Sequence, residues 1–440
     1  MGKQFLEITE QQEVEALIAR VATTLVENWT RSGRAVERVS ITEALGRIAA
    51  AEVVSALDVP PFDRATMDGY AVVASDTFYA DEVHPVSLQL LDTLFAGMQP
   101  TRIVTEGSCM GISTGASLPA GANAVVKIEN AAECQEHREG RSVTAVQIFK
   151  PVAPAENVMH AGSDIKRGER ILATNTVLTP RATGVLAACG LTEVLVHQKP
   201  RVAILSTGNE LVAPGEALPP AKIYDVNAQT LCDSVRALGC IPCALGIARD
   251  TPEALSQLLE RAIETEADVI LVSGGTSAGV GDLLPQAIEA RGEMLVHGVD
   301  IKPGKPFIFG MIQERPIFGL PGNPTSALIT FNQFVAPLLR RLAGAAPEFA
   351  GRSGRTITAQ VTQRIFSEPG RNEYVLVKLS APGSPEEYHR ATPVLSGSGA
   401  ITTLAKADGY FLMAKGKELL EENELVDVVL FSELPAGTPW

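Results

Sequence analysis

Three short segments combine glycine with hydroxyl residues directly after an apolar run, and the first two of them add an acid: STGNEL (206–211), SGGTSAGVGD (273–282) and GLPGNPTS (319–326). Glycine lets backbone N–H groups approach an anion closely, and a helix N-terminus just beyond favours negative charge. Gly274, Gly275, Thr276, Ser277 and Gly279 are therefore candidate ligands for a phosphate or another oxyanion, and the competing reading is a tight strand-to-helix turn. The segment lacks the Gly-Lys-Ser/Thr of a P-loop, and GVGDLL is not a dinucleotide-binding pattern, which disfavours nucleotide chemistry of the common kinds. IKPGKP (301–306) sets Lys302 and Lys305 around a Pro-Gly turn ending at Pro306. Two ammonium groups there suit an oxyanion or decorate a solvated turn.

Four acids, Asp68 in MDGY, Glu210, Asp250 and Asp282, each follow an apolar run or sit in a glycine turn. A carboxylate 4 Å from a phosphate charge is repelled by about 4 kcal/mol at an effective dielectric of about 20. A helix N-terminus offsets only about 0.3–2 kcal/mol of that. Acids beside a phosphate therefore require a bridging divalent cation, and Mg²⁺, which binds through a few carboxylates and waters, fits best. Asp250, which precedes Thr251-Pro252 and a helical pattern, also reads as a helix cap.

These residues need elements to hold them. Between 200 and about 342, RVAILSTG, CIPCALGIARD, ADVILVSGG and PIFGLPG read as strands. They alternate with DVNAQTLCDSVRALG, TPEALSQLLERAIETE, LLPQAIEARG and NPTSALITFNQFVAPLLRRLAG, which read as helices. That rhythm predicts a parallel sheet covered on both faces, with ligands beyond the carboxyl ends of its strands. Asp225 is placed to cap one helix and Gly239 to end it. Residues 10–30 predict an amphipathic helix, with Val14, Leu17, Ile18, Val21 and Leu25 on one face. ITEALGRIAAAEVVSALDVPPFDRATMDGYAVVASD is expected to pass from a short helix to an extended segment broken at Pro60-Pro61, and TPRATGVLAACG predicts a helix ending at Gly190. Short alternating runs between about 85 and 150 predict a β-rich insert. TITAQVTQRI, EYVLVKLS, YFLMAK and LVDVVLF predict a small C-terminal β domain.

At 440 residues the chain is too long for one ordinary core, and 45% hydrophobic with 20% charged residues is the balance of a soluble globular protein. A net charge of −14 argues against nucleic acid as a partner, so an anionic ligand must meet a local cluster of Lys, Arg and backbone N–H groups. No apolar run is long enough to cross a bilayer and the N-terminus carries no apolar signal core, so no membrane partner and a cytoplasmic location are expected. The six scattered cysteines suit free thiols. Cys240-Ile-Pro-Cys243 lacks the second ligand pair a zinc site needs and falls at the start of a strand.

PPFDRATMDGYAV (60–72), STGASLPAGANAVV (113–126), GSDIKRGE (162–169), STGNEL, SGGTSAGVGD, IKPGKP and GLPGNPTSA (319–327) follow one another in this order. The set resembles the MoeA-type molybdopterin molybdenumtransferases, the bacterial counterparts of the gephyrin E domain, over nearly the whole chain. The resemblance implies a multidomain α/β fold built around a central parallel-sheet molybdopterin-binding domain (199–345). An elongated N-terminal region (1–198, with the β-rich insert at roughly 70–155) would precede it and a small C-terminal β domain (346–440) follow it. The implied reaction moves molybdenum from molybdate into adenylylated molybdopterin, with Mg²⁺-dependent cleavage of the adenylyl bond and release of AMP. The implied assembly is a homodimer, with transient contacts to molybdopterin adenylyltransferase and molybdoenzyme chaperones.

Residue by residue, Asp68 and Thr114 match family positions that reach the active site from the N-terminal region. Glu210, Asp250 and Asp282 match acidic positions tied to metal and catalysis, and Asp282 is expected to orient a metal ion or metal-bound water at the adenylyl bond. Lys305, Ser326 and Arg371 match positions where molybdate sits, with Ser398 or Thr402 as a fourth. Gly298 stands where many members carry a basic residue, which removes one positive charge facing the dinucleotide unless His297 supplies it. Two other functions compete: adenylylation of molybdopterin, for which a lone α/β domain would suffice, and a non-catalytic pterin-binding scaffold.

Overall fold

The computed structural model describes residues 8–138, 141–276, 283–346, 355–384, 387–394 and 401–431. The chain forms two compact units, one of Arg38–Leu45 and Ala51–Val194, the other of Met1–Glu37, Gly46–Ala50 and Leu195–Trp440. Among the described residues no helix is long and apolar enough to cross a membrane.

The larger unit begins with α1 (Gln11–Arg31), which buries Val14, Ile18, Ala22 and Trp29, as the helical spacing predicts. The smaller unit carries the β-rich insert as a six-stranded sheet of β1 (Gly69–Val72), β2 (Val86–Leu94), β3 (Ser108–Ile112), β4 (Ala124–Lys127), β5 (Ala131–Arg138) and β6 (Arg141–Ile148). Their order is β4-β1-β3-β2-β6-β5. Successive side chains point to opposite faces, so Tyr70 and Val72 enter one apolar cluster and Ala71 another. In the same unit α2 (Pro180–Ala188) is capped by the Thr179 hydroxyl and stops before Gly190, whose φ is 73°. The short helix expected at the start of the stretch from Ile41 does not form. Gly46 adopts φ 74° and opens the chain there, and residues 48–50 are recruited as a strand partner: the His197 N–H donates to Ile48 O at 2.9 Å and the Ala50 N–H to Leu195 O at 3.0 Å.

The α/β part of the larger unit runs β7 (Arg201–Thr207), α3 (Val226–Ala237), β8 (Ile241–Ala248), α4 (Pro252–Glu264), β9 (Val269–Ser273), α5 (Leu283–Glu289), β10 (Gly292–His297), β11 (Ile301–Lys302), β12 (Ile308–Ile312), β13 (Arg315–Leu320), α6 (Pro324–Thr330) and α7 (Ala336–Leu342). The main sheet has the order β8-β7-β9-β13-β12-β10. Helices cover both faces, which is why β7 is apolar from Val202 to Leu205 and β9 from Val269 to Val272. Val202 and Ile204 pack toward α1, α3 and α7, while Ala203 and Leu205 pack toward α4 and α5.

Only β8, β7, β9 and β13 are parallel, whereas β12 and β10 add antiparallel. The reason is local. Ile312 pairs with Arg315, leaving a two-residue turn, and both turn residues, Gln313 and Glu314, have positive φ (46° and 64°). That is the geometry of a tight hairpin, too short for the crossover a parallel pair needs. The predicted last helix is likewise interrupted, by a π-helical turn at Phe331–Val335 between α6 and α7. Pro337 lies just beyond, and a proline has no N–H for the helical ladder and crowds the preceding turn.

The C-terminal strands β14 (Thr356–Val361), β15 (Asn372–Ser380), β16 (His389–Pro393), β17 (Gly409–Met413) and β18 (Leu425–Leu430) close on themselves in the order β15-β16-β14-β18-β17, with β17 pairing back to β15. Among the described residues these five strands form a closed ring of pairings, and β11 adds in parallel to the start of β15. A short helix, α8 (Ile401–Lys406), packs against α6. Neither β16 nor α8 is legible in the apolar pattern, and β16 forms because both its flanks find ladder partners.

Candidate functional site

The chain leaves β7 outward to β8 and returns on the other side as β9, so the order of the parallel strands switches between β7 and β9. Their carboxyl ends are pressed together. A Cβ on Gly274 would lie 2.4 Å from Thr207 O, and one on Gly275 2.8 Å from Thr207 Oγ1; these glycines also have φ of 91° and 67°. The Gly274 N–H donates to Leu320 O at 2.9 Å, tying the loop after β9 to the end of β13. Above these ends opens a cavity of about 1060 Å³.

Of the residues expected from sequence, Glu210, Asp250, Gly274, Gly275, Thr276 and Pro306 line this cavity. Ser277, Gly279, Asp282 and Ser398 lie outside the described residues. Asp250 is not the cap of α4: Thr251 is, accepting the Ala254 N–H at 3.2 Å. Asp250 instead exchanges hydrogen bonds with the loop after β7. Its Oδ2 accepts the Asn209 N–H at 3.1 Å and its own N–H donates to Asn209 Oδ1 at 3.2 Å. This reciprocal pair holds the Asp250 and Glu210 loops against each other. The predicted cap Asp225 does cap α3, through the Ala228 N–H at 3.1 Å. Among the described residues no group of three or more His, Cys, Asp or Glu is placed to hold a metal. Glu210 and Asp250 remain two carboxylates on one cavity, a donor set compatible with Mg²⁺, which commonly takes one or two carboxylates and completes its shell with water and phosphate.

Sequence reasoning missed Lys222, Arg249 and Asn227, which also line the cavity. The Lys222 ammonium donates to Asn209 O, so the same loop meets both a cation and an acid. Asn227 is buried and donates to Ser273 Oγ and Gly322 O, both at 2.8 Å, bridging the ends of β9 and β13. Its Oδ1, with the hydroxyls of Ser206, Thr207 and Thr325, has no partner among the described residues. Buried unpaired acceptors and donors are costly unless something polar fills the space beside them. A buried asparagine one residue into a helix after a short acidic cap was the only local hint.

Lys302, Lys305, Ser326, Arg371 and Thr402 do not line the cavity, but their segments meet beside it. Pairing of β11 with β15 puts Ile301 opposite Asn372, next to Arg371. The turn that follows packs on α6, where a Cβ on Gly304 would lie 2.6 Å from Thr330 Cγ2. Ser326 is buried in that helix, and Thr402 is exposed on α8, which packs on it. Lys302 departs from the expected pair of free ammonium groups: Glu373 holds it at 3.3 Å and Glu368 at 3.9 Å. Gly298 has φ of 112°, a conformation that a basic side chain would adopt only under strain. His297 Nε2 is buried and has no partner among the described residues.

In the smaller unit the structure unites Asp68 and Thr114. The Thr114 N–H and hydroxyl both donate to Asp68 Oδ1, at 2.7 and 3.0 Å, and hold this exposed carboxyl below its usual pKa. The other two motifs of the unit converge nearby. Asp63 accepts the Ala161 N–H at 2.8 Å and faces His160 Nδ1 at 3.0 Å, and the Leu118 N–H donates to Asp63 O at 2.8 Å. The cysteine pair in Cys240-Ile-Pro-Cys243 is a pair of free thiols at the start of β8.

Comparison with known proteins agrees with this arrangement region by region. Residues 8–190 match the MoeA N-terminal region (domains I and II), 203–341 a probable molybdopterin binding domain, and 358–431 the MoeA C-terminal region (domain IV). The chain is 36% identical over 405 residues to the molybdopterin molybdenumtransferase of Haemophilus influenzae, covering 90% of this chain and 94% of that one. It is 33% identical over 397 residues to the protein of the same name from Nostoc, covering 89% and 88%. Two crystal structures of a molybdopterin biosynthesis MoeA protein from Pyrococcus horikoshii superimpose with TM-scores of 0.80 and 0.73, at 38% and 29% identity. They cover 97% and 96% of this chain and all of their own. Similarity that runs through the N-terminal, central and C-terminal regions alike shows that this chain belongs to the MoeA family.

Proposed function

We propose that the chain is a molybdopterin molybdenumtransferase, which moves molybdenum from molybdate into adenylylated molybdopterin and releases AMP. The observation that carries this reading is the cavity of about 1060 Å³ at the strand switch point, with carboxylates on its wall and a cationic turn beside it. Its size exceeds the roughly 300–1,000 Å³ of ordinary small-ligand sites and suits a pterin joined to a nucleotide. The unpartnered polar atoms of Thr207 and Asn227, two residues on the cavity wall, suit a heterocycle rich in donors and acceptors.

In this reading Gly274, Gly275 and Thr276 face the phosphate of the pterin, Ser277 and Gly279 keep the phosphate-binding role expected of their motif, Pro306 is a wall, and Lys222 and Arg249 offset the charge. Glu210 and Asp250, with Asp282 as the resemblance implies, would hold Mg²⁺, and the ion would supply neutralisation of phosphate charge at the adenylyl bond. The Asn209–Asp250 exchange keeps the two flanking loops from drifting apart under mutual repulsion of their acids. Lys305 and Arg371 attract the molybdate dianion, and Ser326, Thr402 and Ser398 donate hydroxyl hydrogen bonds to its oxygens. Lys302 braces the turn through Glu373. Asp68, oriented by Thr114, keeps the catalytic role that the resemblance implies. The same reading takes residues 1–198, 199–345 and 346–440 as the working domains of a cytoplasmic homodimer that exchanges substrate and product with molybdopterin adenylyltransferase and molybdoenzyme chaperones.

The test is incubation with adenylylated molybdopterin, molybdate and Mg²⁺. AMP release coupled to metal insertion is expected. An adenylyltransferase would instead consume ATP and molybdopterin, and a scaffold would bind the dinucleotide and release nothing; either result overturns the proposal.

A further inference from the structure

The residues that flank the two cations of the turn are not held by the α/β domain or the barrel alone. Thr9 and Val299 form a parallel bridge, the Thr9 N–H donates to Gly298 O at 3.0 Å, and the Asp300 N–H returns to Thr9 O at 3.2 Å. The Val299 N–H in turn donates to Lys305 O at 3.0 Å, so the backbone of Lys305 hangs on this added strand. On the barrel side, both neighbours of Arg371 are anchored: the Gly370 N–H donates to Lys415 O at 3.3 Å and the Asn372 N–H to Asp300 O at 3.0 Å.

One side chain joins the two anchorages. Gln11, the first residue of α1, is 8% exposed. Its backbone N–H donates to Asp300 Oδ1 at 2.7 Å. Its amide Nε2 donates to Tyr374 Oη at 2.6 Å and to Glu15 Oε1 at 2.7 Å, and its Oε1 accepts the Asn372 Nδ2–H at 2.9 Å. Asn372 Oδ1 then accepts the Lys415 N–H at 3.1 Å. An amide whose two N–H donors and carbonyl oxygen are all engaged cannot shift without breaking several bonds in a poorly solvated place. It therefore sets the register of two chains that carry one cation each.

We propose that Gln11 is a positioning residue for the oxyanion: it fixes the spacing of Lys305 and Arg371 without touching the ligand. This rests on the reading that these two cations receive molybdate. A tetrahedral dianion gripped by two cations loses affinity steeply when one moves away, whereas a dinucleotide in the neighbouring cavity makes no use of that spacing.

Equilibrium dialysis of molybdate against the full chain, and of adenylylated molybdopterin in parallel, tests the inference. Gln11→Met keeps the side-chain length and removes its hydrogen bonds, and it should weaken molybdate binding about tenfold while dinucleotide binding stays within twofold. Tyr374→Phe removes one of those bonds and should weaken molybdate about two- to threefold, which serves if the first variant folds poorly. Arg34→Ala breaks the ion pair to buried Asp268 that pins the other end of α1, and should lower the unfolding temperature without changing molybdate affinity. Arg371→Ala is the reference. If it abolishes molybdate binding while Gln11→Met and Tyr374→Phe bind as the wild type does, the positioning role is refuted. An equal loss in Arg34→Ala would reduce Gln11 to a general stabiliser of α1 and also refute it. If Arg371→Ala itself binds molybdate normally, the cation site is wrong and the inference falls with it.

Discussion

Gly274→Ala should damage stability and function by separable amounts, because the structure loads two costs on that glycine. Its φ of 91° disfavours any side chain, at about 1–2 kcal/mol. The added Cβ would also start 2.4 Å from Thr207 O, and real Cβ contacts stay above 3.0 Å, so the loop or the end of β7 must move by 0.6 Å or more. Forced displacements of this kind in a packed site cost about 1–3 kcal/mol. Gly246→Ala, in β8, is the matched control: φ is 98°, but nothing lies within 4 Å of its would-be Cβ. Taking about 3 kcal/mol for the first and about 1.5 kcal/mol for the second, at roughly 2–4 °C per kcal/mol, the unfolding midpoints should fall by roughly 6–12 and 3–6 °C. A misplacement near 1 Å at a reacting centre can cost about a hundredfold in rate, so Gly274→Ala should also slow AMP release tenfold or more while Gly246→Ala leaves it unchanged. Thermal unfolding followed by circular dichroism, with the AMP assay run well below both midpoints, separates the effects. Equal shifts for the two variants, or full activity in Gly274→Ala, would show that the apposition of β7 and β9 does not form the floor of the working site.

Asp250→Asn keeps an acceptor for the Asn209 N–H but loses its charge, so it should fold normally, remain within about 0.5 kcal/mol of wild-type stability, and need at least tenfold more Mg²⁺ for half-maximal AMP release. An unchanged Mg²⁺ titration would remove Asp250 from the metal site. Thr114→Val strips one of the two donors that depress the pKa of Asp68. Such a group stabilises the fold when ionised, above its unfolded value of about 3.9, and loses that contribution as pH falls through its lower folded value. The difference in urea midpoint between wild type and Thr114→Val should therefore be flat from pH 8 to 5 and shrink below about pH 4; a difference that grows on acidification contradicts the sign. Of the six free thiols, Cys109 and Cys240 are pushed up to about 12 by burial, Cys189 and Cys232 are also buried, and Cys134 and Cys243 are partly exposed. A thiol reagent at pH 8 should modify the last two quickly and the other four only on unfolding; fast modification of all six would contradict the packing.

Short-range physics made much of this fold readable. The apolar stripe of α1, the Asp225 cap with its Gly239 stop, and the unbroken apolar runs of β7 and β9 each depend on neighbours within a few residues. Their reading as helix, cap and doubly covered strand needs no knowledge of the rest of the chain. The glycine loops were legible only as a set: one apolar run ending in glycine can be a plain turn, but three such runs at the carboxyl ends of one parallel sheet point to a ligand site. The element predictions that failed depended on distant partners. Residues 48–50 join a strand near residue 196 in place of a helix, and the hairpin of β12 and β13 turns on two non-glycine residues that carry no turn signature.

The site divides along the same line. Residue types and order within the motifs identified the family and the loops, including Glu210, Asp250 and Gly274 to Thr276, which do line one cavity. That Asp250 serves Asn209 and not its own helix, that Lys302 is taken by Glu373, and that Lys222, Arg249 and Asn227 share the cavity could be decided only in three dimensions. A charge or an amide has its role set by what comes within about 3–4 Å of it, and here those partners lie from 13 to 95 residues away in the chain. No local pattern encodes that distance; the crossover of the strands and the pairing of β11 with β15 do.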